Sequence, residues 1–198
     1  RGAQHDRAAT GHIRSASEIR TLTAAGKATS GFMPREARAV LERERAQGRG
    51  PVLMHNLEGA LLSRLRMLSR ENRLLAATEE PTLDGVLAAA KSKRYALARL
   101  RRMCMCACTG VKDGMNDGTP PYARLLAASA RGREILRLIE GRSRVPVITK
   151  SAAGRKLPHE ARECFELTAA AHDLFVLGCT AEAERRGGAD WRATPVIL

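Results

Sequence analysis

The sequence predicts a mainly α-helical protein carrying one small strand–helix–strand element near residues 122–149. Three observations point there. Hydrophobic residues make up 44% of the chain but aromatics only 3%, so the core has to come from Leu, Ala, Val, Ile and Met, and Ala and Leu favour helix. Leu57, Leu61, Leu65 and Leu68 recur at spacings of four and three, which is a helical stripe rather than the alternation of a strand. YARLLAAS, ARGREILRLIEG and VPVITK then read as strand, helix and strand, the order that a small parallel pair needs.

The elements follow in order. Residues 1–14 are polar, contain Gly and lack periodicity, so they read as loop. SASEIRTLTAAG is a short helix with Ser15 or Ser17 placed to cap it and Gly26 placed to end it. Pro34 opens PREARAVLERERAQ, a charged amphipathic helix in which Ala37, Val40 and Leu41 share a face. GRGP at 48–51 stops that helix and marks the expected boundary between 1–50 and 51–198. The leucine-striped helix comes next, then PTLDGVLAAA with Thr82 as cap, and KSKRYALARLRRMCMCAC continues or closely follows it. VKDGMNDGTPP is a turn region. After the strand–helix–strand element, HEARECFELTAAAHDLFVLGC is a long helix and DWRATPVIL an extended tail.

Charge narrows the function. Thirty-four Lys and Arg against 21 Asp and Glu leave +13, so a polyanionic partner leads, with RNA ahead of an acidic membrane surface because Arg forks suit phosphate and stack on bases. No apolar run is long enough to span a bilayer. The chain opens RGAQHD with no initiator Met and no apolar signal core, so a piece of a longer, non-secreted polypeptide is expected. The cysteines are odd in number, and of Cys104, Cys106 and Cys108 only the first and last share a helical face. A disulfide framework and a zinc site are therefore both disfavoured, and a reducing cytoplasm is expected. His172 lies in an apolar helix and reads as a packed or partly exposed residue. There is no Gly-rich phosphate loop, no GxSxG and no HxGH motif, so these residues do not supply a complete active site.

Two stretches carry candidate chemistry. KSKRYALARLRRM places Lys91, Lys93, Arg94, Arg99, Arg101 and Arg102 within thirteen residues. On one helix from Lys91 to Val111, Leu97, Leu100, Cys104 and Val111 fall on one side, with Lys91, Arg94, Arg101 and Arg102 opposite. That pattern fits a solvated face, and it equally fits a phosphate-led RNA contact in which Arg and Tyr95 stack on bases. In SASEIR, Ser15, Ser17 and Arg20 set two hydroxyls, a helix start and an Arg together. The arrangement can hold phosphate oxygens, or it can be an ordinary cap beside an exposed Arg.

Taken in order, His5-Asp6, IRSASEIR, the Pro34 helix, RENRLLAA, KSKRYALARLRRM, PPYARLLAAS with ARGREIL, PVITK, AHDLFVL and the terminal PVIL resemble the C-terminal half of the bacterial tRNA(Met) cytidine acetate ligase family. The resemblance implies an enzyme that uses ATP, together with Mg2+, to form acetyl-adenylate and then acetylates N4 of the wobble cytidine in elongator tRNA(Met). It implies that residues 1–50 are the tail end of a nucleotidyltransferase α/β domain and that 51–198 are a helical tRNA-binding domain. Ser15, Ser17 and Arg20 match a nucleotidyltransferase signature that reads ISSTxIR or ISATxIR, and would face ATP phosphates. Ser17 stands where Thr is usual, and Arg14 separates Ile13 from Ser15. The six cations of 91–102 would grip tRNA. The family's HxGH-bearing ATP loop is not in the chain, so this part alone is expected to be inactive, with acetate, ATP, tRNA and the N-terminal half as its partners. The rival readings are a non-catalytic helical RNA-binding module and a domain whose basic face meets an acidic protein.

Overall fold

A computed structural model describes residues 14–29, 31–72, 79–115, 117–139 and 141–198, and is mainly helical as expected. His5, Asp6 and most of the RENRLLAA segment lie outside the described residues. The helices are α1 (Ala16–Ala24), α2 (Arg35–Ala46), α3 (Glu58–Asn72), α4 (Leu83–Ala89), α5 (Leu97–Thr109), α6 (Ala130–Ile139), α7 (His159–Val176) and α8 (Ala189–Arg192). Four two-residue strands accompany them: β1 (Ala123–Arg124), β2 (Ala127–Ala128), β3 (Val147–Ile148) and β4 (Val196–Ile197).

The leucine stripe builds the first core. Leu57, Leu61 and Leu65 are buried, together with Leu62, against Leu83, Val86 and Leu87 of α4 and Leu100 and Cys104 of α5. Leu68 is half-buried. Two polar contacts fix α4 in place: Thr82 Oγ1 accepts the Gly85 N–H at 3.1 Å as its cap, and Glu58 of α3 accepts the Leu83 N–H at 2.9 Å. Cys104 and Cys108 both pack toward this core while Cys106 is exposed.

One expectation fails here. The helix placed over Lys91 to Val111 begins only at Leu97, and residues 90–96 form a turn between α4 and α5. Tyr95 donates its N–H to both the carbonyl and the hydroxyl of Ser92, and Ser92 returns its N–H to the Tyr95 carbonyl. A serine hydroxyl competing for backbone amides ends helical propagation without any Gly or Pro to announce it.

The strand–helix–strand element is present as a parallel β1–β3 pair in the register Ala123↔Val147 and Arg124↔Ile148, connected through α6. YARLLAAS changes partner midway. Leu125 donates to Ile148, Leu126 accepts from Val196, and β2 then pairs in parallel with β4 of the tail. Behind these strands lies a second core centred on Phe165, 1% exposed, with the rings of Tyr122 and Trp191 at 5.8 and 4.6 Å. Gly154 is required there, because a Cβ would stand 3.0 Å from the Phe165 ring.

Residues 48–51 pack against the C-terminal end of α7. The Gly48 carbonyl accepts the N–H groups of Thr180 and Ala181 at 2.9 and 3.2 Å. Gly48 has φ +68°, and a Cβ would meet that of Ala181 at 2.7 Å, so both backbone and space call for glycine. The shared face of α2 does not enter a core: Val40 is 46% exposed, and Ala37, Val40 and Leu41 line a cleft of about 790 Å³ opposite Phe175 and Val176.

Candidate functional site

The basic stretch forms its site from a turn and a helix start rather than from one helical face. Lys91, Lys93 and Arg94 are exposed on the turn, and Arg99, Arg101 and Arg102 are exposed on α5. Tyr95 is half-buried against the first core, and its ring carries the Arg94 and Arg99 guanidinium groups at 5.6 and 5.0 Å. The ring therefore holds two cations where the sequence pointed to a platform for bases. Each such interaction at an exposed site is worth about 0.5–1 kcal/mol.

The start of α5 is electrostatically unusual. Its N-cap is Ala96, which supplies no side-chain acceptor, and no acid occupies the first turn. The first amides of a helix have no intrahelical acceptor, and the dipole puts partial positive charge there. Arg99 adds a full charge to that turn, which the dipole disfavours. Among the described residues Arg101 alone of the six cations has an ion-pair partner, Asp84 of α4 at 3.9 Å. Both of those side chains are substantially exposed, so the pair contributes about 0–1 kcal/mol. Among the described residues the surface is a concentration of positive charge, compensated only at Arg101, around open backbone donors, which an anion relieves.

At α1 the structure brings the three candidate residues together in a different way. Ser15 is the N-cap of a capping box: its Oγ accepts the Glu18 N–H at 3.2 Å, and Glu18 accepts the Ser15 N–H at 2.9 Å. Arg20 donates to Ser17 Oγ at 3.2 Å, so its guanidinium folds toward the helix start. The Ser15 amide, and next Arg14 at 3.0 Å, hold the Glu18 carboxyl below its ordinary range. A carboxylate thus already shares this positive end, and an arriving phosphate has to share it with Glu18. Arg14, placed by its i,i+4 spacing to Glu18, is the residue that sequence reasoning passed over.

His172 is partly exposed, as expected, but its partner was not legible. Its Nδ1 lies 2.7 Å from Asp190 Oδ2. The other Asp190 oxygen pairs with Arg124, which also donates to Ser151 Oγ at 3.0 Å and lies over the Phe165 ring. Asp190 is separated from His172 by eighteen residues, and no short motif joins them.

Known proteins share this architecture. The tRNA(Met) cytidine acetate ligase of Thermosipho africanus is 27% identical, over 96% of this chain and 52% of its own length. The enzyme of the same name from Syntrophomonas wolfei is 30% identical over 79% and 43%. The crystal structure of apo Thermotoga maritima TmcAL superposes with a TM-score of 0.86 at 25% identity, covering all of this chain and 54% of that one. The same protein bound with alpha-thio ATP gives 0.83, covering 96% and 53%. The chain spans about half the length of the curated relatives it matches. A profile described as HIGH Nucleotidyl Transferase matches residues 1–190, and the chain belongs to that family.

Proposed function

We propose that this chain is the tRNA-gripping part of an ATP-dependent ligase that makes N4-acetylcytidine at the wobble position of elongator tRNA(Met). The observation that carries this is the acid-free, uncapped start of α5 surrounded by Lys91, Lys93, Arg94, Arg99, Arg101 and Arg102. Phosphates of a structured RNA match that surface in charge and in hydrogen-bond demand. The names of the relatives supply the substrate class.

In this reading residues 1–50 complete a nucleotidyltransferase domain, and 51–198 hold the tRNA. Acetate attacks the α-phosphorus of ATP and pyrophosphate leaves. Ser15, Ser17 and Arg20 meet the phosphate charge that develops, and a magnesium ion arriving with ATP would add positive charge there. The cytidine N4 amine then attacks the acetyl carbonyl, AMP departs with the bonding pair, and the amine's proton passes to solvent. Immobilising the anticodon loop supplies the orientation that this two-substrate step needs. The work takes place in the cytoplasm. A second reading, a non-catalytic RNA-binding module, is favoured by the way Ser15 and Ser17 spend their hydroxyls inside α1.

Binding of tRNA is expected to weaken steeply with salt. Combined Arg94→Glu and Arg101→Glu is expected to abolish it, lowering the salt slope by about 1 for each phosphate that goes unmet. Wild-type affinity in that variant sinks the grip. The two readings separate when the chain is expressed with the N-terminal portion its longer relatives possess. Acetate-dependent exchange between ATP and pyrophosphate that drops with Arg20→Ala supports the ligase, and no exchange at all leaves the binder.

A further inference from the structure

Only part of PVITK serves the fold. Ile148 is buried at 3%, while Thr149 and Lys150 are exposed beyond the end of β3. They line a cleft of about 610 Å³ between α6, β3 and the tail that carries β4. We propose that this cleft is a second RNA-binding site, taking one unstacked nucleotide with its phosphate on Arg133, Arg137 and Lys150. The proposal rests on the reading of the chain as a tRNA binder and adds a separate point of attachment.

Charge is the first support for a phosphate ligand. Arg133 and Arg137 come from α6 and Lys150 from the end of PVITK, and no Asp or Glu is among the lining residues that the structure describes. Glu134, the one acid of α6, is outside that lining. None of the three cations has an ion-pair partner among the described residues. Arg133 and Arg137 are four apart, so the helix holds two like charges side by side, a pairing that weakens an isolated helix. Elsewhere the chain places acids four residues from arginines, as at Arg38–Glu42 and Arg162–Glu166. Among the described residues neither arginine of the α6 pair forms such an ion pair, and both line the same cleft, where guanidinium groups suit phosphate oxygens.

The wall suits a base. Leu136 and Val147 contribute apolar surface, Val147 being 37% exposed, and Thr149 lines the same cleft. The volume lies within the range of small-ligand pockets. A base and ribose cover apolar surface while the phosphate remains at the cationic residues. That division of labour is the usual one for single-stranded RNA, whereas an A-form duplex hides its bases and offers only backbone. The net charge of +13 favours a polyanionic ligand, and the reading of the chain as a tRNA binder makes that ligand RNA.

A nucleoside phosphate can also arrive as a free mononucleotide, so the test carries separate arms. Binding is measured for full-length tRNA, a single-stranded oligoribonucleotide, an RNA duplex, ATP and polyglutamate. The proteins are wild type, Arg133→Glu with Lys150→Glu, and Arg94→Glu with Arg101→Glu. All four substituted side chains are exposed, and an Arg133→Ala with Lys150→Ala variant repeats the test if the reversal fails to fold. The expected result for the cleft reversal is at least a tenfold loss in affinity for tRNA and for the single strand. The salt slope falls by about 1 per phosphate, and duplex affinity is little changed. If the cleft reversal binds tRNA as wild type does while the α5 reversal does not, this site is refuted and the tRNA reading survives. If neither reversal changes binding, the tRNA reading fails and takes this site with it. Loss confined to ATP, or to polyglutamate, assigns the cleft to a mononucleotide or an acidic protein and overturns the RNA proposal.

Discussion

The two cores of this chain are held together by different physics. The one formed by α3, α4 and α5 contains aliphatic side chains and the Cys104 sulfur, all brought in by helical periodicity. The one around Phe165 gathers the only tryptophan, one of two tyrosines, and a partly buried polar network that joins the Arg124–Asp190 ion pair to Ser151 and His172. An aliphatic core accepts repacking if volume is conserved, because nothing in it has a preferred partner. A network of charges with side chains only 16% and 15% exposed does not, because removing one member strands the other.

That contrast sets the largest expected effects. Asp190→Asn preserves shape but leaves the Arg124 guanidinium uncompensated, and is expected to cost about 3–5 kcal/mol. Leu61→Ala, at a fully buried site, is expected to cost about 2–5 kcal/mol. Chemical denaturation gives both values, and hydrogen exchange shows where protection falls: around α7 and α8 for the first, around α3 to α5 for the second. If Asp190→Asn costs less than about 1 kcal/mol, the second core is held by its aromatics alone and the contrast disappears. A smaller effect tests how the first core serves its surface. Tyr95→Leu removes the ring beneath Arg94 and Arg99 and is expected to weaken tRNA binding about two- to fivefold, matching one cation–π interaction of about 0.5–1 kcal/mol. Tyr95→Phe should bind as wild type, and weaker binding by the Phe variant would assign the work to the hydroxyl.

The smallest effect concerns pH. Hydrogen bonds from Arg49, and next from Arg43, lower the Glu44 carboxyl from its ordinary 4.5 to about 2. Since the folded value is the depressed one, the stabilisation is fully present above 4.5 and is lost as pH falls from 4.5 through about 2. Glu44→Gln is expected to flatten the dependence of Tm on pH in that window. An unaltered slope would show that Glu44 does not contribute it.

The same division explains what could be read before the structure. Leu57, Leu61 and Leu65 announce their burial because a helical period is a local property, and so does the Thr82 cap. The β1–β3 pair was accessible through chain order and β-rich composition. The β2–β4 pair was not, since it joins Ala127 to a tail residue, Val196, and such a pairing leaves no mark in either segment. The six cations were visible as a cluster, but their geometry was misplaced because the Ser92–Tyr95 turn interrupts the helix with side-chain and backbone hydrogen bonds alone. Asp190 was hidden for a similar reason: its role depends on meeting His172 and Arg124 across folded space.

Gly48 bears on how the chain can be rebuilt. Its carbonyl accepts two amides beyond the end of α7, so the junction between the α2 segment and the C-terminal region is written in main-chain atoms. A chimera that exchanges residues 1–47 for those of another member of the family would keep the receiving hydrogen bonds, whatever side chains the donor brings. The one position such a graft must respect is 48 itself, where any side chain would collide with Ala181.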